Sequence, residues 1–130
     1  MDRGAAMRRR LALGMAVLTA SGLLALAAPG DAQAAGASCA GRKVRSFSFS
    51  TGSVEVYKRR GYVCAVTLPK KPGTRRYMMV SVQVYALQPV VDEGQFTRWA
   101  GPRTVHAGRH CVRVKGAVGH GSYESGWILC

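Results

Sequence analysis

The side chains of this 130-residue chain that could do chemistry are four cysteines, three histidines and six acids. Cys39, Cys64, Cys111 and Cys130 are even in number and contain no Cys-x-x-Cys pair, the short spacing from which zinc sites draw their ligands. In an oxidising compartment such a set pairs into disulfides, and three connectivities are open. The expected one joins Cys39 to Cys64 and Cys111 to Cys130, because each bond then ties an end of the mature chain to a nearby strand. His106 and His110 flank Ala107-Gly108-Arg109. A three-residue hairpin loop there would set the two imidazoles opposite each other, and His120 could complete a zinc or copper set. Nothing in the spacing brings His120 to the other two, so all three read as partly exposed residues at strand ends and no metal is assigned.

Catalysis finds little to work with. Gly119-His120-Gly121-Ser122 lacks the Gly-x-Ser-x-Gly elbow of a serine nucleophile and reads as a glycine-rich turn. Beyond the N-terminal segment the acids are Glu55, Asp92, Glu93 and Glu124, and none stands in a pattern that marks a general acid or base. No catalytic residue and no cofactor are therefore expected. Trp99-Ala100-Gly101-Pro102 sets an aromatic beside a rigid turn, which makes either a ligand platform or a core plug. Core packing is the expected use, since Tyr57, Tyr62, Tyr77, Tyr85, Tyr123 and Trp127 form no stripe.

Charge is the strongest compositional signal: 19 Lys+Arg against 6 Asp+Glu, a formal net charge of +13. Two basic clusters, Lys58-Arg59-Arg60 and Lys70-Lys71 with Arg75-Arg76, fall in segments that read as loops. Along a simple antiparallel meander successive turns alternate between the ends of a sheet, so the clusters should lie at opposite poles. Such a diffuse positive surface suits salt-sensitive adhesion to anionic polymers. A nucleic-acid reader needs a basic stripe with exposed aromatics or a groove-binding helix, so no specific nucleic acid is expected.

The N-terminus says where this charge is displayed. Arg8-Arg9-Arg10, the apolar run from Leu11 to Ala28, and Pro29-Gly30 ahead of Ala32-Gln33-Ala34 make the three parts of a signal peptide over residues 1–34. Gly14, Ser21 and Gly22 dilute the run and Pro29 breaks it, so no transmembrane anchor is expected. Residues 35–130 then form one secreted domain with 15 Lys+Arg and 4 Asp+Glu.

Period-two alternation dominates that domain. It predicts strands over Val44–Ser50 and Val54–Lys58, joined as a hairpin across Thr51-Gly52, and over Tyr62–Leu68, with Tyr62, Cys64, Val66 and Leu68 together. Met78–Leu87, the longest, is expected to be central, with Val80, Val82, Val84 and Ala86 on one side. Shorter strands are expected around Phe96–Trp99, His110–Val118 and Trp127–Cys130. The intervening breakers include Gln88–Gly94, Gly101-Pro102 and Gly119–Gly126, spaced as a sandwich or barrel requires. The expected fold is all-β, a small disulfide-stabilised antiparallel sandwich or barrel. Each disulfide should add about 3 kcal/mol by restricting the unfolded chain.

The mature region resembles the spore-associated protein A family, small exported proteins of filamentous, spore-forming actinobacteria. The similarity rests on four cysteines in the same order, Cys64-Ala65-Val66-Thr67 before a turn containing Pro72-Gly73-Thr74, and Trp99-Ala100-Gly101-Pro102. Cys111-Val112 after a glycine-bearing turn and Gly126-Trp127 before Cys130 complete it. The resemblance implies a protein found with the spore surface and no catalytic residues. The expected function is a noncatalytic secreted protein of the spore or cell envelope. It would hold anionic cell-wall or spore-surface polymers through Lys58, Arg59, Arg60, Lys70, Lys71, Arg75 and Arg76. Two other readings remain: a cationic antimicrobial effector, weakened by the lack of an amphipathic helix, and a protease inhibitor presenting Pro69-Lys70-Lys71-Pro72 as a rigid loop.

Overall fold

Eight strands account for the regular structure of residues 39–130, the part of the chain that the computed structural model describes. The signal-peptide reading of residues 1–34 lies outside the described residues. The strands are β1 (Arg42–Phe49), β2 (Gly52–Arg59), β3 (Tyr62–Pro69), β4 (Arg76–Val84), β5 (Val90–Phe96), β6 (Ala100–His106), β7 (Val112–Val118) and β8 (Gly121–Ile128). They form two four-stranded antiparallel sheets, ordered β1-β2-β3-β6 and β5-β4-β7-β8. Between the sheets β1 meets β8, β2 meets β7, β3 meets β4 and β6 meets β5. The result is an open sandwich, which settles the choice between sandwich and barrel.

Alternation builds the core. Val54 and Val56 of β2, Val63 and Ala65 of β3, and Met78, Val80, Val82 and Val84 of β4 are buried and pack with Val112, Val114 and Val118 of β7. Each valine taken from water contributes about 1.5–2 kcal/mol. Thr67 and Gly116 mark a place where the sheets come close together. The buried Thr67 hydroxyl donates to the Met79 carbonyl at 2.9 Å, and Gly116 of β7 lies so near Val54 and Thr67 that no Cβ would fit. As expected, β4 is interior to its sheet; Phe47 and Phe49 of β1 pack half-buried against the core.

Three expected breakers are strands or parts of strands. Gln88–Gly94 contains most of β5, whose acids face outward or toward the edge: Asp92 accepts the Gly101 N–H at 2.8 Å and meets Arg103 at 3.4 Å. The Phe96 ring covers Gly94. Gly101-Pro102, with a cis peptide bond, lies in β6, a strand the sequence did not suggest. Gly119–Gly126 is a turn only at its start and then becomes β8. Phe96–Trp99 is the end of β5 followed by a bend, and β4 stops at Val84, with Ala86 in the left-handed region at φ 67°. Propensity misplaces these strands because Asp, Glu, Gly and Pro are tolerated where a strand lies at a sheet edge. Both β5 and β6 are such edges.

The exposed edge of β1 is protected by its own sequence. Arg42, Lys43 and Arg45 line it, and a bulge between Lys43 and Arg45 breaks its regular ladder, two devices that keep an edge from pairing with another chain.

Candidate functional site

The paired disulfides are Cys39–Cys64 and Cys111–Cys130, as expected. The first does more than staple. Val54, Ala65 and Thr67 face the core, so Tyr62, Cys64, Val66 and Leu68 line the opposite, outer face of β3. There Cys39, Cys64 and Val66 are buried in a second small apolar cluster with Tyr57, Leu68 and Trp99 packed on it. Strand β3 reads YVCAVTLP without a charged residue because both its faces are covered. Trp99 is thus neither a plug of the main core nor a bare platform; it is a half-buried lid on the outer cluster.

The basic clusters lie at the two ends of this sheet, but not wholly in loops as expected: Lys58 and Arg59 end β2 and Arg76 begins β4, which leaves Arg60, Lys70, Lys71 and Arg75 in the connections. Arg60 and Gly61, at φ 49° and 80°, make the two-residue turn between β2 and β3, a geometry that favours Asn and Gly. The Gly61 carbonyl accepts the N–H groups of Ala107 and Gly108, each at 2.9 Å, and the His106 ring stands edge-on to Tyr62 with centroids 4.8 Å apart. Ala40, Arg59, Arg60, Tyr62, Cys64 and Thr104 line a groove of about 330 Å³ on the outer face here.

At the other end, Lys70–Arg75 crosses from β3 to β4. The Lys70 N–H donates to the Thr51 carbonyl at 3.0 Å and the Gly73 N–H to the Thr97 carbonyl at 2.8 Å. The Arg76 guanidinium donates to the carbonyls of Lys71 and Thr74, so this member of the cluster braces the loop that carries the others. Two depressions flank the loop: about 200 Å³ among Ser50, Thr51, Lys70, Lys71 and Arg76, and about 510 Å³ among Leu68, Pro69, Pro72, Gly73, Arg98 and Trp99. The eight residues of β3 put the two ends about 24 Å apart, some three screening lengths at physiological salt. Their fields act locally and do not sum.

Every side-chain carboxylate of residues 39–130 is occupied, and each sits on a strand. Glu55 meets Lys43 at 3.0 Å and accepts the Tyr57 hydroxyl at 2.9 Å. Glu93 accepts the Tyr77 hydroxyl at 2.9 Å, and Glu124 meets Arg113 at 3.4 Å and Lys115 at 3.7 Å. Of the fifteen bases in this region, Lys43, Arg103, Arg113 and Lys115 meet a carboxylate. The other eleven, including all seven of the candidate set, have none within ion-pair reach among the described residues. Glu55 holds the Lys43 ammonium above its ordinary pKa by hydrogen bond and charge. Burial, then the hydrogen bonds to Glu55 and Glu93, raises the phenols of Tyr57 and Tyr77.

His120 lies apart from the other two histidines. His106 ends β6 and His110 follows in the connection to β7, but β6 pairs with β3 and not with β7, so the expected hairpin between them does not exist. His120 sits in the β7–β8 turn at the Lys70 end, the far end of the sandwich from His106. Among the described residues no three metal-ligating side chains converge, and no helix is long and apolar enough to cross a membrane. Sequence reading overlooked Tyr62, Arg98 and Thr104 as groove residues; the charge-free run of β3 was the one signal that its outer face carries a covered surface.

No family model, curated protein or solved structure matches this chain.

Proposed function

We propose that this is a noncatalytic secreted protein of the cell or spore envelope, which adheres to anionic surface polymers through its unpaired cations. One observation carries the reading: the four side-chain carboxylates of residues 39–130 are all engaged on strands, while the strand ends and turns at both ends of the sheet display cations with no acid beside them. Charges so arranged attract a polyanion without first breaking internal ion pairs, and their exposure makes the attraction fall with salt. The disulfides support an oxidising, extracytoplasmic setting. The resemblance to spore-associated protein A supports the envelope as its site.

The test is binding of the mature protein to isolated cell walls or spores before and after their anionic polymers are removed. Binding should need those polymers and should be washed off by about 1 M salt, where the screening length falls to about 3 Å. Adhesion that survives both treatments would rule this mechanism out. A second reading, protease inhibition, is favoured by the bracing of Pro69–Pro72 between Thr51 and Thr97 with Lys70 and Lys71 exposed. Purified protein that leaves a Lys-specific protease fully active would dismiss it.

A further inference from the structure

We infer that the outer face of β3 is a two-subsite groove for an acidic polysaccharide, a proposal that rests on the polyanion reading above and names its ligand class. The two larger depressions lie on this same face, one holding Tyr62 and Cys64 and the other Leu68 and Trp99. Each joins an aromatic ring to arginine: Tyr62, 51% exposed, with Arg59 and Arg60, and Trp99 with Arg98. A flat aromatic surface takes the C–H face of a sugar ring, and a guanidinium takes a carboxylate through paired hydrogen bonds. Tyr62 and Leu68 are six residues apart along β3, so the subsites are about 20 Å apart, a span for an extended oligosaccharide and not for a single sugar.

The stretch between the subsites decides which polymer. There Cys39, Cys64 and Val66 are buried beneath Tyr57, Leu68 and Trp99, and Lys43, opposite Tyr57 on β1, is paired with Glu55, so the stretch offers no unpaired cation among the described residues. A single-stranded nucleic acid carries a phosphate at every residue and calls for cations along the whole track. A polysaccharide whose acidic sugars alternate with neutral ones needs no cation there.

The experiment is titration of the mature protein with a hyaluronate hexasaccharide, whose carboxylates fall on alternate sugars, a polyphosphate and an oligo(dT) of matched charge, and neutral cellohexaose. The hyaluronate should bind tightest. Tyr62→Ala and Arg98→Gln should each weaken it roughly tenfold, Tyr62→Phe should restore it, and Arg45→Gln, on the β1 edge, should leave it within twofold. Thermal unfolding of Tyr62→Ala near the wild-type midpoint shows that the fold is kept. If polyphosphate or oligo(dT) binds as tightly, or Tyr62→Ala changes nothing, the polysaccharide groove is wrong although charge-based adhesion stands. If no polyanion binds, both readings fall together.

Discussion

Placing a single methyl group at Gly116 tests the packing on which both grooves depend. A Cβ there would stand 2.1 Å from Val54 Cγ2 and 2.7 Å from Thr67 Oγ1, far inside van der Waals contact. Both neighbours are fully buried, and Thr67 is further fixed by its hydrogen bond to the Met79 carbonyl, so neither can swing away. Overpacking of this kind costs about 1–3 kcal/mol, and the depth of the overlap places Gly116→Ala near the upper half of that range. For a domain of this size that lowers the melting midpoint by about 8–16 °C, read from tryptophan fluorescence or near-ultraviolet circular dichroism. Val54→Ala alone should cost about 2 kcal/mol by opening a cavity. Combined, the two should cost at least about 1 kcal/mol less than their sum, because the new methyl occupies the space that Val54 vacates. If Gly116→Ala stays within about 0.5 kcal/mol of wild type, or the two effects simply add, the sheets do not meet at this point and the derived core is wrong.

Removing the Cys39–Cys64 bond by paired Cys→Ala substitution should cost about 3.5 kcal/mol, since it closes a loop of 25 residues in the unfolded chain; urea unfolding measures it, and a loss under about 1 kcal/mol would contradict the entropic estimate. Arg60→Asn should raise stability by about 1 kcal/mol, because Asn tolerates the left-handed turn, while weakening polyanion binding; the two changes must move in opposite directions. Tyr57 and Tyr77 keep their protons in the folded state beyond the ordinary phenol value of 10.0. Their contribution to stability is therefore whole below about pH 10 and is lost as pH rises through the raised values. Thermal unfolding followed from pH 8 to 12 should show that decline, and Tyr57→Phe with Tyr77→Phe should flatten it.

Much of the scaffold is legible from alternation alone. β1 to β4 and β7 stand close to where period-two patterning puts them, because valines facing a core leave polar residues on the other side. The meander of β1, β2 and β3 follows from two short turns, and with it the placement of the Arg60 and Lys70 clusters at opposite ends. The other strands were hidden for a physical reason. Val90-Val91-Asp92-Glu93-Gly94 pairs with β4 on one side only, so its hydrogen-bonding demands are half met by the sheet and its side chains can be acidic. Ala100-Gly101-Pro102 can begin β6 because an edge strand has backbone positions that need no ladder partner. In both cases the neighbour strand, remote in sequence, supplies the order that local propensity withholds.

The candidate site divides the same way. Its charge and its cysteines belong to the amino-acid sequence: fifteen bases against four acids over residues 39–130, and four cysteines, are fixed however the chain folds. Which bases remain unpaired was decided in three dimensions, when strand register brought Glu55 to Lys43, Asp92 to Arg103 and Glu124 to Arg113 and Lys115. So was the second face of β3, where Trp99 and Cys39, 35 and 25 residues from Cys64, close over one strand. Net charge and residue type are sums over the chain and survive any arrangement. Proximity between distant residues is a property of sheet order and handed turns, and exists only once the two sheets have packed.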